Sequence, residues 1–166
     1  MFTLDLDPTC SPDERYHDLN AQLAALLSGE RDLICNAAQF SAFVMQTVED
    51  LNWSGFYFAR DNELVLGPYV GKVACTRIPF GKGVCGKAAE SLQIQRIKDV
   101  HAFDGHIACD AASASELVLP VIVDGKLVAV FDMDSPKVGR FTEIDQAGLA
   151  AFVATFIAAT DFNWSF

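Results

Sequence analysis

Two apolar runs, residues 116–123 and 126–133, flank the pair Asp124-Gly125. An Asp-Gly pair accepts the positive φ of a tight two-residue turn, so the runs form a hairpin. This commits the chain to an antiparallel sheet. Other segments supply further strands. Residues 53–58 are aromatic-rich and strand-like, 60–63 form a turn, and 64–66 return as a second strand. Gly67-Pro68 is expected to break that strand. Residues 73–78 and 95–97 read as short strands, and 98–110 as a loop.

Helical spacing brackets the strands. Ser11-Pro12-Asp13-Glu14 reads as a helix start, with Ser as cap, Pro in the first turn and acids following. Leu19, Leu23, Leu26 and Leu27 recur at helical spacing until Gly29. A second helix runs from Asp32 to the Glu49-Asp50 region. Residues 83–92 form a short helix behind a glycine-rich entry. Thr142 caps a last helix, with Asp145 at the capping-box position. The layout is α+β: a central antiparallel β-sheet with the N- and C-terminal helices packed on one side. Residues 1–10 read as an irregular lead-in, 11–160 as a single domain and 161–166 as a tail.

The formal charge is −10, from 12 basic and 22 acidic residues. That argues against a nucleic-acid backbone or an anionic membrane as partner, because both require a cationic face. No transmembrane run and no basic-then-apolar leader is seen, so a cytoplasmic location is expected. In a reducing compartment, cysteines are catalytic, metal-binding or buried more often than structurally bridged.

Three of the five cysteines, Cys75, Cys85 and Cys109, fall in one stretch with His101 and His106. No pair has C-x₂-C spacing, so no metal site is expected from this set. The histidines read as loop residues bonded to backbone. Gly81-Lys82-Gly83-Val84-Cys85-Gly86 has the letters G-x-G-x-x-G, but lacks the parallel βαβ context of a dinucleotide site. It reads as a tight turn into a helix whose N-terminus suits a carboxylate. Cys109 lies in a polar, small-residue loop beside Asp110 and is a candidate nucleophile. A buried, inert cysteine is the other reading. Cys10 and Cys35 are expected to be inert.

Asp132 and Asp134 close an apolar strand and share one face. Asp is rare in strands. The pair is either a solvated strand end or a carboxylate cluster that holds an ammonium group or supplies a proton. Glu116 enters the neighbouring strand, where it can face the same pocket. Trp53 and Tyr57 also share a strand face. They are either core or a wall for a thioether or methyl group.

The segments NWSGFY, LVLGPY-x-GK-x-AC-x-RIPFGKGVCG, QRIKDVHAFDGHIACDAASASE-x-VLP and FD-x-DS resemble the free methionine-(R)-sulfoxide reductases, a family with a GAF-type fold. The resemblance spans roughly residues 15–157, with no motif position missing. It implies reduction of free L-methionine-(R)-sulfoxide, with no bound cofactor. Thioredoxin is the implied electron donor, drawing on NADPH through thioredoxin reductase, and a homodimer is expected. By position, Cys109 matches the catalytic cysteine and Cys75 the usual resolving cysteine. Cys85 matches an alternative partner, so the redox disulfide is Cys75–Cys109 or Cys85–Cys109. Trp53 and Tyr57 match the aromatic wall around the substrate methyl. Glu116, Asp132 and Asp134 match the acidic cluster, as catalytic and substrate-binding residues. A non-catalytic GAF-like module that binds a small ligand or senses redox state is the competing expectation.

Overall fold

The computed structural model describes residues 3–5, 9–103 and 111–163. The elements follow in the order α1 (Pro12–Leu26), α2 (Leu33–Thr47), β1 (Trp53–Arg60), β2 (Glu63–Gly71), β3 (Arg77–Pro79), α3 (Gly83–Ser91), β4 (Gln95–Ile97), β5 (Ser115–Val123), β6 (Lys126–Ser135) and α4 (Glu143–Ala159). The strands form one sheet in the order β3-β2-β1-β6-β5-β4, and every neighbouring pair is antiparallel. No described helix is long and apolar enough to cross a membrane.

Local chemistry sets most of these boundaries. The β5–β6 hairpin turns on Asp124 (φ 50°) and Gly125 (φ 75°). The β1–β2 hairpin turns the same way on Asp61 (φ 49°) and Asn62 (φ 63°), with Arg60 opposite Glu63. Asp and Asn tolerate this left-handed backbone better than other side chains do. Ser11 and Thr142 each complete a capping box, with Glu14 and Asp145. Two donors at each helix start are thereby satisfied.

Two expectations fail at β2 and β3. Gly67-Pro68 does not end β2, which runs on to Gly71. Gly55 pairs with Tyr69 and Tyr57 with Leu66, so β2 uses three steps where β1 uses two. This bulge accommodates a proline that has no N–H to give the ladder. Ser41 Oγ also donates to the Pro68 carbonyl at 3.2 Å. The strand expected at 73–78 shrinks to Arg77–Pro79. The chain leaves the sheet at Gly71 (φ 142°), where a Cβ would lie 2.5 Å from Trp53 Cδ1. Val73 is then exposed.

Alternation sorts the sheet into two faces. One carries Phe56, Phe58, Leu117, Leu119, Val121, Phe131 and Met133, and packs with buried residues of α1, α2 and α4. Phe40 of α2 sits among Phe56, Phe131 and Phe156, with ring centroids 5.5, 4.7 and 5.3 Å away. Phe40→Ala is expected to cost about 3–5 kcal/mol of stability. Urea unfolding followed by circular dichroism checks this through a lowered midpoint. The other face carries Trp53, Tyr57, Val118 and Val130, and is covered by Val84, Cys85, Ala88 and Ala89 of α3. A smaller second core therefore lies across the sheet from the long helices. The G-x-G-x-x-G segment opens α3 after an antiparallel strand, which is not the setting of a dinucleotide site.

Candidate active site

The register of β1, β6 and β5 builds the site in rows. Trp53 lies opposite Asp134, and Asp134 opposite Glu116. In the next row Gly55 lies opposite Asp132, and Asp132 opposite Val118. Directly opposed residues point to the same face. The aromatic wall and the three acids therefore share the face covered by α3. These five residues come from three strands, β1, β5 and β6.

Trp53 stacks on Tyr57, with ring centroids 5.8 Å apart and planes 22° apart. It also stacks on Tyr69, at 5.2 Å and 15°. The Trp53 indole N–H donates to the Lys72 carbonyl at 3.2 Å. Gly55 makes this stack possible. A Cβ there would lie 2.3 Å from Tyr69 Cβ and 2.7 Å from Trp53 Cη2. Tyr69 was not singled out from the sequence, where the second strand was expected to end at Leu66, before Gly67-Pro68. Once the strand continues, Tyr69 falls opposite Gly55 and joins the wall.

Cys85 enters from α3. Its Sγ lies 3.8 Å from Glu116 Oε1. Cys85, Glu116 and Asp132 are 4%, 6% and 6% exposed, and one ligand atom from each lies within 4.8 Å of the others. Asp134 is half-buried beside them. Oδ1 of Asp132 has no hydrogen-bond partner among the described residues.

Burial controls the protonation of this cluster. Desolvation raises the Asp132 carboxyl to about 7, against contacts with Cys85, Glu116 and the Met133 backbone that favour its charged form. Desolvation, then the charges of Asp132 and Asp134, push Glu116 well above the ordinary carboxylate range. Glu116 and Asp132 titrate as a pair, and at neutral pH that pair holds at least one proton. Desolvation and the two carboxyls also push the Cys85 thiol up, so it rests as a thiol. The Tyr57 phenol is raised by the same causes.

A stability effect follows. The folded chain binds the Asp132 proton more tightly than the unfolded chain does. The stability tied to that proton is fully present below the ordinary carboxylate pKa, and is lost as pH rises through about 7. Wild type should therefore lose stability relative to Asp132→Asn as the pH is raised from about 4 to about 8. Urea midpoints of both proteins across that range check the sign.

The remaining candidates divide. Cys75 is disulfide-bonded. It lies between β2 and β3, half-buried against the same second core as Trp53, Tyr57 and Cys85. Cys10, Cys35 and Cys85 are not disulfide-bonded. Cys109, His106 and Asp110 lie outside the described residues. His101 sits in a short 3₁₀ turn, Val100–Ala102, where its backbone N–H donates to Asp99 Oδ1 at 3.0 Å. Two contacts not anticipated from sequence tie down the chain that follows residue 110. Asn52 Nδ2 donates to Ser113 Oγ at 3.1 Å, and Ala114 N donates to the Ser135 carbonyl at 2.7 Å.

Comparison with known proteins agrees with this architecture. The GAF domain family model matches residues 36–159. The free methionine-R-sulfoxide reductase of Escherichia coli K12 is 50% identical over 153 residues, covering 90% of this chain and 93% of that protein. The chain belongs to the free methionine-R-sulfoxide reductase family of GAF domains. The family member of Saccharomyces cerevisiae is 39% identical, over 81% of this chain and 79% of its own. Among solved structures, the Neisseria meningitidis free methionine-R-sulfoxide reductase in complex with its substrate superposes with a TM-score of 0.90. It is 34% identical and covers 96% of this chain and 95% of that one.

Proposed function

We propose that this chain reduces free L-methionine-(R)-sulfoxide to L-methionine by thiol chemistry. The observation that carries the reading is the buried Glu116–Asp132 pair, holding a proton on the sheet face that carries the Trp53–Tyr57–Tyr69 wall. Sulfoxide reduction needs both features. The sulfoxide oxygen leaves only as it is protonated, and the thioether product is apolar. Relatives named for this activity, at up to 50% identity, support the substrate class.

The Cys109 thiolate attacks the sulfoxide sulfur, and a carboxyl of the pair gives its proton to the oxygen. The oxygen passes to sulfur, so Cys109 becomes a sulfenic acid and methionine departs. The Cys75 thiol then condenses with the sulfenic acid, releasing water and leaving a Cys75–Cys109 disulfide. The disulfide-bonded state of Cys75 supports that pairing. A thioredoxin dithiol exchanges with this disulfide and regenerates both thiols. Cys85 is a protonated, buried thiol and stays outside the redox exchange in this reading. Asp134, at the half-buried edge of the cluster, and the ionised member of the pair receive the substrate ammonium.

The test is a coupled assay with thioredoxin, thioredoxin reductase and NADPH. Free (R)-sulfoxide, free (S)-sulfoxide and a peptide sulfoxide are supplied in parallel. NADPH consumption with the free (R) form alone is the expected result. No consumption with any of the three moves the chain to a binding or redox-sensing role.

A further inference from the structure

The cysteines and histidines lack metal-ligand spacing in the sequence. The fold assembles a different set. Cys85 comes from α3, Glu116 from β5 and Asp132 from β6, and one donor atom of each falls within 4.8 Å of the others. We propose that these three side chains form a binding site for a thiophilic divalent cation of the zinc and cadmium class. This rests on the same pocket as the reductase reading, but not on the reaction.

Three observations point to a cation. First, the spacing fits. A tetrahedral zinc with ordinary Zn–S and Zn–O bonds sets its sulfur and oxygen ligands about 3.5 Å apart, and Cys85 Sγ lies 3.8 Å from Glu116 Oε1. Second, Asp132 Oδ1 is buried in the cluster with no hydrogen-bond partner among the described residues. A buried acceptor left so is costly unless something occupies it. Third, the donors are mounted rigidly. Glu116 and Asp132 stand on adjacent, paired strands, two residue pairs apart along the ladder and so on one face. The α3 turn that carries Cys85 is locked by Gly86, where a Cβ would meet the Pro79 carbonyl at 2.5 Å.

The donor set selects the metal. One thiolate with two carboxylates suits zinc or cadmium, whereas magnesium and calcium take oxygen alone. On binding, Cys85 releases its thiol proton to solvent and coordinates as thiolate. Three protein ligands leave a fourth position open for water. The cation draws on the same two carboxyls that the substrate uses. Metal and the substrate's ammonium group therefore exclude one another.

The test needs no turnover. In the disulfide form the unbridged cysteines are Cys10, Cys35 and Cys85. A Cys10→Ser/Cys35→Ser protein, purified in that form with chelator and then desalted, is titrated with Cd²⁺. Ultraviolet absorbance follows the sulfur-to-cadmium charge-transfer band. The expected result is a saturable band that vanishes on adding Cys85→Ser. Asp132→Asn or Glu116→Gln should weaken it by about tenfold or more. Excess L-methionine should displace the cadmium more effectively than equal glycine, which chelates alike but lacks the thioether. No band, or a band that survives Cys85→Ser, overturns the site. Unchanged affinity in both carboxyl variants overturns the ligand set, and equal displacement by glycine overturns the mutual exclusion. Failure of the coupled reductase assay would leave the cadmium band and its dependence on Cys85, Glu116 and Asp132 standing, and loss of that band would leave the reductase reading standing.

Discussion

Cys109→Ser is expected to abolish methionine release from free (R)-sulfoxide, by about 10³-fold or more. The proposed reaction has one nucleophile. A serine hydroxyl does not ionise near neutral pH, and a hydroxyl oxygen cannot accept the sulfoxide oxygen as a thiol does. The loss should appear in a single turnover, with prereduced protein and no thioredoxin, where only the first step is read. Cys75→Ser differs. It should retain single-turnover release and lose multiple turnover, because only the later condensation needs that thiol. Methionine release by Cys109→Ser at a rate near wild type would remove the nucleophile assignment, whatever Cys75→Ser does.

The carboxyl pair carries the second large effect. Glu116→Gln and Asp132→Asn should each lower kcat/KM by about 10²–10⁴-fold, the range for losing a positioned proton donor. Their effects should not multiply, because the two groups hold the proton jointly. An amide keeps the shape of the acid, so the fold should survive both changes. Asp132→Asn removes a group whose ionisation is opposed by burial. Its stability at pH above about 7 should therefore match or exceed that of wild type. A double variant with the product of the two single losses would mean that the residues act independently. A variant with full activity would place the proton elsewhere.

What was legible in the sequence was what neighbouring residues decide. Asp124-Gly125 sets its turn by its own backbone preferences, and Ser11 and Thr142 cap helices through residues three positions away. Period-two alternation placed Trp53 with Tyr57, and Asp132 with Asp134, on shared faces. The structure keeps both pairs and joins them through the β1–β6 register. What was hidden depends on partners distant in sequence. The passage of β2 through Gly67-Pro68 is a bulge against β1, and no signal within β2 announces it. Tyr69 was lost with it. The meeting of Cys85 with Glu116 and Asp132 depends on how α3 seats on the second face of the sheet, so the raised carboxyls could not be foreseen in detail. Cys109 was singled out from its loop composition and by family resemblance, and lies outside the described residues.

In the proposed reaction Asp134 and the ionised member of the buried carboxyl pair receive the substrate ammonium, a charge that a peptide-bound residue lacks, so the site should select the free amino acid. Free L-methionine-(R)-sulfoxide and its N-acetyl derivative share the sulfoxide, the side chain and the carboxylate. They differ at the amino group, which acetylation neutralises and enlarges, as a peptide bond does. Initial rates of the wild-type protein on both, with the same reductant, should show kcat/KM for the N-acetyl form lower by about 30-fold or more, the scale of losing a buried charge partner. Equal kcat/KM for the two would contradict the claim.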